Sequence, residues 1–221
     1  MKNKIIGIAL AVMAMAVLGG CGGGDGDSKT SPSPANSASA SAPASTGEAT
    51  DGGGDSGAPA DVADIAESPV LLTSVGQSAD VDMVKTIMDK AEISTTMKKD
   101  AKADEVGEYK TLVLAVGGSS KGLGAAGIDA DQELERVQAL IDAADSAGLT
   151  IITMHIGGSQ RRGELSDKFI GPAFAKADYA LVLAEGDQDG MMAGLAKSGN
   201  VPIDIVESLA DLVEPLKTVF K

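Results

Sequence analysis

The chain has very few of the residues that usually carry catalytic or metal chemistry. Its 221 residues include one cysteine, one histidine, two tyrosines and no tryptophan. A lone cysteine excludes a disulfide within the chain, and one histidine leaves too few nitrogen and sulfur ligands for a zinc site. Basic residues are also scarce, 18 against 32 acidic ones, which gives a formal charge of −14. This balance argues against nucleic acid or an anionic lipid surface as a partner.

The single cysteine, Cys21, follows an N-terminal segment with a definite order of residue types. Lys2 and Lys4 supply positive charge, and residues 5–18 then form an almost entirely apolar run. A helix needs ~20 apolar residues to span the hydrocarbon core, so this shorter run is typical of a signal peptide. The alternative is a short uncleaved anchor helix followed by an unrelated cysteine.

The segment Leu18-Gly19-Gly20-Cys21 resembles the lipobox of bacterial lipoproteins. In that family the preceding segment is removed, and the cysteine thiol receives a diacylglycerol through a thioether. The resemblance implies a signal peptide over residues 1–20 and a protein that its lipid anchors to the cell membrane, facing outside the cytoplasm. A membrane, reached through lipidated Cys21, is therefore the first expected partner.

Composition divides the rest of the chain into two parts. Residues 21–67 are rich in Gly, Ser, Ala, Pro and Asp and have almost no apolar side chains to bury. Such a segment predicts a disordered spacer after the lipidated cysteine. Residues 68–221 contain repeated apolar runs, and about 150 residues are enough for one domain with its own core.

Short apolar runs alternate with helical patterns through this domain. The runs are nearly continuous, which is typical of parallel strands buried on both faces. Their alternation with helices predicts an α/β fold, an open parallel sheet with helices on both faces. We expect five or six strands in the flavodoxin-like order 2-1-3-4-5-6, with a Rossmann-like order as the alternative. The predicted strands are residues 70–73, 93–97, 111–116, 151–154, 179–183 and 201–206.

Three loops at the carboxyl edge of this sheet favour a binding site. In open α/β sheets, ligands bind beyond the carboxyl ends of the strands, near the point where the strand order reverses. Residues 74–78, 117–127 and 155–163 follow strands and are rich in Gly, Ser, Gln and basic residues. They predict a cleft for a small polar or anionic ligand, because arginine suits a carboxylate or phosphate. The candidate ligand-binding residues are Ser74, Gln77, Ser78, Gly118, Ser119, Ser120, Lys121, His155, Arg161 and Arg162.

These residues also have a structural interpretation. The glycines suit a turn with positive φ and close helix–strand packing. His155 suits a hydrogen-bonded position at a strand end, and the two arginines suit surface ion pairs with Glu164 and Asp167. Ser78 is predicted to cap the first helix. Asp187 and Asp189 favour helix capping over a calcium loop, because the EF-hand spacing is missing.

Familiar catalytic motifs do not fit the chain. Residues 117–124 resemble the nucleotide loop of short-chain dehydrogenases, but the Tyr-x-x-x-Lys pair of those enzymes is missing and no helix is expected before Asp129. The same segment is not a phosphate-binding P-loop, because Lys121 is followed by Gly122. A serine hydrolase would have to use His155. We therefore predict no catalytic residues, no cofactor and no bound metal.

The segments Thr73-Ser74-Val75-Gly76-Gln77-Ser78, residues 116–127, and residues 154–158 with Arg161-Arg162-Gly163 resemble an uncharacterised family of secreted bacterial α/β domains. The resemblance covers the whole domain, and the family has no established activity. The leading hypothesis is a lipid-anchored binding protein for a small polar or anionic ligand. A non-catalytic accessory protein with an envelope protein as partner is the alternative, and an extracytoplasmic enzyme is the third.

Overall fold

The computed structural model describes residues 62–221, which contain six strands and six α-helices. The strands are β1 (Val70–Val75), β2 (Thr95–Met97), β3 (Thr111–Val116), β4 (Thr150–His155), β5 (Tyr179–Leu183) and β6 (Ile203–Val206). The helices are α1 (Asp80–Lys90), α2 (Ser120–Ala126), α3 (Ala130–Ser146), α4 (Glu164–Phe174), α5 (Met191–Gly199) and α6 (Val213–Val219). The predicted signal peptide, Cys21 and most of the predicted spacer lie outside the described residues.

All six strands form one parallel sheet in the order β2-β1-β3-β4-β5-β6, which confirms the predicted fold class and strand order. β1 and β3 pair along their full length, from Val70 opposite Thr111 to Val75 opposite Val116. The chain leaves β1 on one side for β2 and returns on the other side for β3. The strand order therefore reverses between β1 and β3, and their carboxyl ends are where this fold would usually bind a ligand.

Apolar side chains cover both faces of the sheet, which explains why its central strands are continuous apolar runs. Helices α1 and α6 pack on one face, where Met88 and Leu216 are fully buried. Helices α3, α4 and α5 pack on the other face, where Leu140 and Phe169 are fully buried. Within residues 62–221, no helix is both long and apolar enough to cross a membrane.

The folded domain includes residues 62–67, which the sequence assigned to the spacer. Val62 and Ala66 are buried, and the Ala66 N–H donates to the Val219 carbonyl at 2.9 Å. The Glu67 N–H donates to Thr111 Oγ1 at 3.0 Å. The partners of this segment lie far along the chain. Local composition carries no signal for such contacts.

Helix α2 occupies a stretch that the sequence predicted to be irregular up to Asp129. Gly122 and Gly124 argue against a helix there, since each costs about 1 kcal/mol relative to alanine. A local cap and a tertiary contact offset this cost: Ser119 Oγ accepts the Gly122 N–H at 3.1 Å, and the Leu123 side chain is buried. The predicted start of the next helix is confirmed, because Asp129 caps α3 in a capping box with Gln132.

Candidate functional site

The crevice between the ends of β1 and β3 is closed by backbone hydrogen bonds. The Gly117 N–H donates to the Val75 carbonyl and the Ser119 N–H to the Gly76 carbonyl, both at 2.9 Å. Past the ends of the two parallel strands, Gln77 and Gly118 form an isolated antiparallel bridge. The usual ligand position of an open α/β sheet is therefore filled by the protein's own backbone.

Glycines make this close contact between the two loops sterically possible. A Cβ at Gly76, whose φ is +98°, would lie 2.6 Å from the Gly117 carbonyl oxygen. A Cβ at Gly122 would lie 1.8 Å from the Gln77 carbonyl oxygen. Real Cβ atoms do not approach oxygen this closely, so these positions require glycine for close contact between two backbones. The packing accounts for the glycine-rich segments without a ligand.

A buried ion pair on α3 holds the loop after β1 from below. Glu133 is fully buried and accepts hydrogen bonds from the Gly76 N–H at 3.0 Å and from the Gln77 side-chain amide at 3.1 Å. Arg136 donates to Glu133 and also to the Ser74 carbonyl at 2.6 Å. Gln77, whose φ is +58°, is thus held in a left-handed conformation with its amide engaged inside the protein.

Sequence reasoning missed this ion pair, although a signal for it exists. Val137, Leu140 and Ala144 form the buried stripe of α3, and Glu133 lies four residues before Val137 on the same stripe. A carboxylate on the apolar face of a helix predicts a buried polar partner, because an unpaired buried charge is very costly.

The serines after β1 are also engaged within the protein. Ser74 is fully buried, and its hydroxyl donates to the Ser78 carbonyl at 3.3 Å. Ser78 is buried as well, and its Oγ accepts the Asp80 N–H at 3.3 Å. This bond satisfies the first N–H of α1, so the predicted capping role of Ser78 is present, with Ala79 between the serine and the first helical residue.

Some of the candidate residues after β3 make hydrogen bonds within the protein, and the others have side chains exposed to solvent. Ser119 caps α2, and the Gly118 N–H donates to Ser166 Oγ at 3.0 Å. Ser120 and Lys121 begin α2 with exposed side chains. Their hydroxyl and ammonium groups make no hydrogen bond within the described part of the chain, so neither is oriented toward a site.

Residues 118–122 also have the Gly-x-Ser-x-Gly spacing of a hydrolase nucleophile elbow, with Ser120 at its centre. The structure of this segment differs from that of a nucleophile elbow. An elbow places its serine in a strained turn, whereas Ser120 is the first residue of a regular helix without positive φ. His155 contacts the Arg161 carbonyl rather than a serine hydroxyl. The serine and histidine do not form a nucleophile–base pair.

Arg161 lies across the closed crevice and pairs with Asp80. Its Nε is 3.0 Å from Asp80 Oδ2, and its side chain crosses Gly117 and Gly157, whose missing Cβ atoms leave room for it. The terminal guanidinium nitrogens make no hydrogen bond within residues 62–221. The structure thus brings Arg161 close to the first two predicted loops, but it places a carboxylate beside the positive charge.

Arg162 does not join Arg161 at the closed crevice, and nearly all of its N–H groups donate hydrogen bonds within the protein. Its side chain is 15% exposed and donates to Asp167 at 2.8 Å, to both Asp189 oxygens at 2.8 and 2.9 Å, and to the Gly186 carbonyl at 2.6 Å. Hydrogen bonds from Arg162 and from the Met191 N–H lower the pKa of Asp189 to about 2. The predicted ion pair with Asp167 is therefore present.

His155 ends β4 with its imidazole completely buried. Nε2 lies 3.0 Å from the Arg161 carbonyl oxygen, which fixes Nε2 as the donor and leaves Nδ1 as an acceptor. Nδ1 is buried and has no hydrogen-bond partner within the described residues. It faces Gly186, where an added Cβ would lie 2.7 Å away. Burial lowers the pKa of His155 below its ordinary value, so the ring is neutral at pH 7.

An open cleft lies between the loops that follow β4 and β5. Its volume is about 330 Å³, within the lower range of small-molecule sites. Ser159 Oγ, from the loop after β4, donates to Glu185 Oε1, from the loop after β5, at 2.6 Å. The polar residues that line it are Ser159, Arg162, Asp167, Glu185, Gln188 and Asp189, with Gly163 and Gly186 supplying backbone. We refer to this space as the β4–β5 cleft.

Of the ten residues that the sequence suggested for ligand binding, only Arg162 lines the β4–β5 cleft. Carboxylates dominate the lining, and residues 62–221 contain no group of three or more side chains arranged to hold a metal ion. Asp187, beside the cleft, accepts the N–H groups of Met192 and Ala193, which confirms its predicted helix-capping role. The arrangement can accept hydrogen bonds from a ligand far better than it can donate them.

Comparison with curated proteins gave no match. Among solved structures, a GDSL-like lipase from Bacteroides thetaiotaomicron aligns at 9% identity over 62% of this chain, with a TM-score of 0.30. The alignment spans 66% of the lipase chain, just under two thirds of its length. A psychrotrophic esterase from a Pseudoalteromonas species aligns at 10% identity over 62% of this chain and 75% of its own, with a TM-score of 0.28.

A protein-family model described as a domain of unknown function, DUF6305, matches residues 67–220. The match includes all six strands and all but the first few residues of the folded domain described above. This chain therefore belongs to the DUF6305 family.

Proposed function

We propose that this protein is a non-catalytic binding protein that takes a small polar ligand in the β4–β5 cleft. The observation that supports this proposal is the contrast at the carboxyl edge of the sheet. The crevice between β1 and β3 is filled by backbone, whereas the β4–β5 cleft leaves about 330 Å³ lined by polar side chains. A cleft of this size and polarity suits a small ligand held by hydrogen bonds.

The ligand of this proposal is polar, and the anionic option of the sequence hypothesis loses support. An anion clamp needs guanidinium N–H groups that are free to donate. Arg162 already gives its N–H groups to Asp167, Asp189 and the Gly186 carbonyl. Arg161 keeps free terminal nitrogens, but Asp80 lies against its Nε and would repel an anion.

We further propose that the domain works outside the cytoplasm, tethered to the cell membrane through Cys21. This part rests on the sequence alone, on the lipobox-like segment and the short apolar run before it. A tethered binding domain needs a connection that lets it stand away from the lipid. The composition of residues 22–61 suits such a connection.

The binding proposal is tested by a thermal-shift screen of small polar compounds on the full chain. A compound present at a hundred times its Kd should stabilise the protein by about 2.7 kcal/mol. Gln188→Trp places a bulky side chain in the β4–β5 cleft and should abolish that stabilisation. Lys121→Trp is the matched control, because Lys121 is an exposed residue beside the closed crevice. No stabilising compound, or equal loss in both variants, would contradict the proposal and favour an accessory role.

The tether is tested by metabolic labelling with a fatty acid in a bacterial host. The wild-type chain should incorporate the label and lose the mass of residues 1–20. Cys21→Ser should remain unlabelled and unprocessed. Label retained in the serine variant would overturn this part of the proposal without affecting the other.

A further inference from the structure

We propose that an apolar groove beside α1 binds a single-chain amphiphile that ends in a carboxylate, such as a fatty acid. The groove lies between α1 and the segment that leads from β6 into α6, and we call it the α1 groove. It shares no lining residue with the β4–β5 cleft. This inference is therefore independent of the binding function proposed for that cleft.

Apolar side chains supply most of the lining of the α1 groove. Its volume is about 380 Å³, within the lower range of small-molecule sites. Met83 is 44% exposed and Leu209 is 36% exposed, and they are two of the three large hydrophobic side chains that stay exposed within residues 62–221. Exposed apolar area gathered in one groove indicates a ligand that covers it. The lining residues are Met83, Thr86, Ile87, Lys90, Leu209, Ala210 and Val213.

The spacing of residues in α1 explains one wall of the groove. The four lining residues of this helix follow one another at intervals of three, one and three positions, so they share one side of it. Ile87 is buried against the core, and the Thr86 hydroxyl donates to the Asp82 carbonyl within the helix at 3.0 Å. The polar atom of Thr86 is thus already engaged, and the wall offers a ligand mainly apolar contact.

Lys90 is the charged residue of this lining. Its ammonium group makes no hydrogen bond or ion pair within residues 62–221, whereas Lys85 of the same helix is paired with Asp89. Among the described residues that line the groove, none carries a carboxylate. A chain with a formal charge of −14 therefore places an unpaired cation beside an apolar groove.

The acidic residues of the opposite wall are directed to other partners. Asp211 accepts the Ser208 hydroxyl at 2.7 Å, and Glu214 is paired with Lys217 at 3.2 Å. Neither carboxylate is among the lining residues. Lys90 is thus left to pair with a group that the ligand supplies.

The apolar lining and the unpaired lysine point to one chemistry. An alkyl chain gains free energy when the walls cover it, and a carboxylate at its end forms a charge-assisted hydrogen bond with the ammonium group. A second copy of the chain is a poorer occupant, because both copies carry the same strong negative charge. A partner protein needs about 800 Å² of contact, whereas residues 83–90 of α1 span only about 10 Å.

Three eight-carbon probes test this chemistry in calorimetric titrations of the full chain. They are octanoate as the anion, 1-octanol as the neutral compound and octylammonium as the cation. We expect octanoate to bind about tenfold more tightly than either of the others, since one charge-assisted pair is worth roughly a tenfold change in affinity. Across hexanoate, octanoate and decanoate, each added CH₂ should tighten binding by about two- to fourfold until the groove is full.

Lysine variants assign the charge preference to Lys90. Lys90→Gln should weaken octanoate about tenfold and leave 1-octanol unchanged, because the variant removes the ion pair and keeps the apolar walls. Lys197→Gln is the matched control. Lys197 is an exposed lysine in the last turn of α5, as Lys90 is in the last turn of α1, and it lies outside the groove. Its variant should bind all three probes as the wild type does.

Apolar variants assign the binding to the groove itself, which matters because residues 5–18 of the full chain also attract amphiphiles. The double variant Met83→Gln, Leu209→Gln should weaken octanoate and 1-octanol by at least about tenfold, since it replaces apolar lining by amides. Ile205→Gln makes the same kind of change at a side chain that is 43% exposed and outside the groove. That control should leave both affinities unchanged, and circular dichroism checks that each variant is folded.

Four outcomes would overturn the proposal. The first is binding of 1-octanol or octylammonium as tight as that of octanoate, and the second is octanoate affinity that Lys90→Gln leaves unchanged. The third is an absence of binding by every probe, or binding that the double variant does not weaken. The fourth is self-association of the wild type in sedimentation that the double variant removes, which would make a second copy the occupant of the groove.

Discussion

Two regions at the carboxyl edge of the same sheet show how differently strand-end loops can be used. The crevice between β1 and β3 is rich in glycine and is closed by backbone hydrogen bonds. The β4–β5 cleft is rich in carboxylates and stays open. A glycine at a strand end permits another group to come close to the backbone. In the first region that partner is the neighbouring loop, and a ligand is not needed to explain it.

From this comparison we predict that the stability of the fold depends on the closed crevice between β1 and β3. We predict that ligand binding depends on the β4–β5 cleft. Substitutions that disturb the closed loops should destabilise the fold. Substitutions of exposed residues in the cleft should change affinity and leave stability within about 0.5 kcal/mol. The predictions below test this division, beginning with the largest expected effect.

Glu133→Ala should cost about 3–5 kcal/mol of unfolding free energy. The variant leaves the mostly buried Arg136, whose side chain is 12% exposed, without its carboxylate and takes the acceptor away from the Gly76 N–H. Urea unfolding followed by circular dichroism measures the change. Glu135→Ala is the control on the same helix, and as an exposed residue it should stay within about 0.5 kcal/mol of wild type. Equal effects of the two variants would refute the role given to the ion pair.

Gly122→Ala should destabilise the domain by about 1–3 kcal/mol, since its Cβ would meet the Gln77 carbonyl oxygen and force the loops apart. Gly124→Ala in the same helix has no atom within 4 Å of its Cβ. That variant should instead stabilise the protein by about 0.5–1 kcal/mol through helix propensity. If both substitutions stabilise, the two loops are not held together by close backbone contact.

Arg162→Ala should cost about 1–2 kcal/mol, because the variant removes hydrogen bonds that hold one wall of the β4–β5 cleft. Arg162→Lys keeps the charge but cannot reproduce the planar fork between Asp167 and Asp189, so it should recover only part of the loss. Thermal unfolding of the two variants beside wild type measures this order. Full rescue by lysine would show that charge alone, rather than geometry, supports the wall.

The smallest expected effect is a pH dependence from His155. Burial lowers its pKa in the folded state below the ordinary 6.5, so the unfolded chain binds the proton more readily. Stability from this residue is present above about pH 6.5 and is lost as the pH falls through the folded pKa. His155→Gln cannot titrate, and its melting temperature should vary less between pH 7 and pH 5. An equal slope in both proteins would exclude His155 as the cause.

Much of the fold was predictable from the sequence. Continuous apolar runs such as residues 111–116 can only be satisfied by burial on both faces, which a parallel sheet with helices on either side provides. Local signals of the same kind placed the start of α3 at Asp129. The candidate site was less predictable. The loops that the sequence marked by glycine content are closed, and Arg162 alone of the suggested residues lines the open cleft.

The physical reason is that the misplaced features depend on contacts between distant residues. Glu185 and Asp167 look like surface charges in the sequence, and only the adjacency of β4 and β5 brings them to one cleft. Residues 62–67 look like spacer until Ala66 pairs with the C-terminal end of α6.

The sequence by itself determined the class of fold, because hydrophobic periodicity and the alternation of elements are properties of local segments. The choice between a flavodoxin-like and a Rossmann-like strand order was decided by the tertiary structure, since it depends on which distant strands pair. The sequence also determined the strong negative charge and the scarcity of catalytic residue types. Tertiary structure decided which strand-end loops close and which stay open. A glycine in the sequence permits close contact with the backbone but does not show which group makes that contact. The effect of a charged residue likewise depends on the neighbours that the fold places around it.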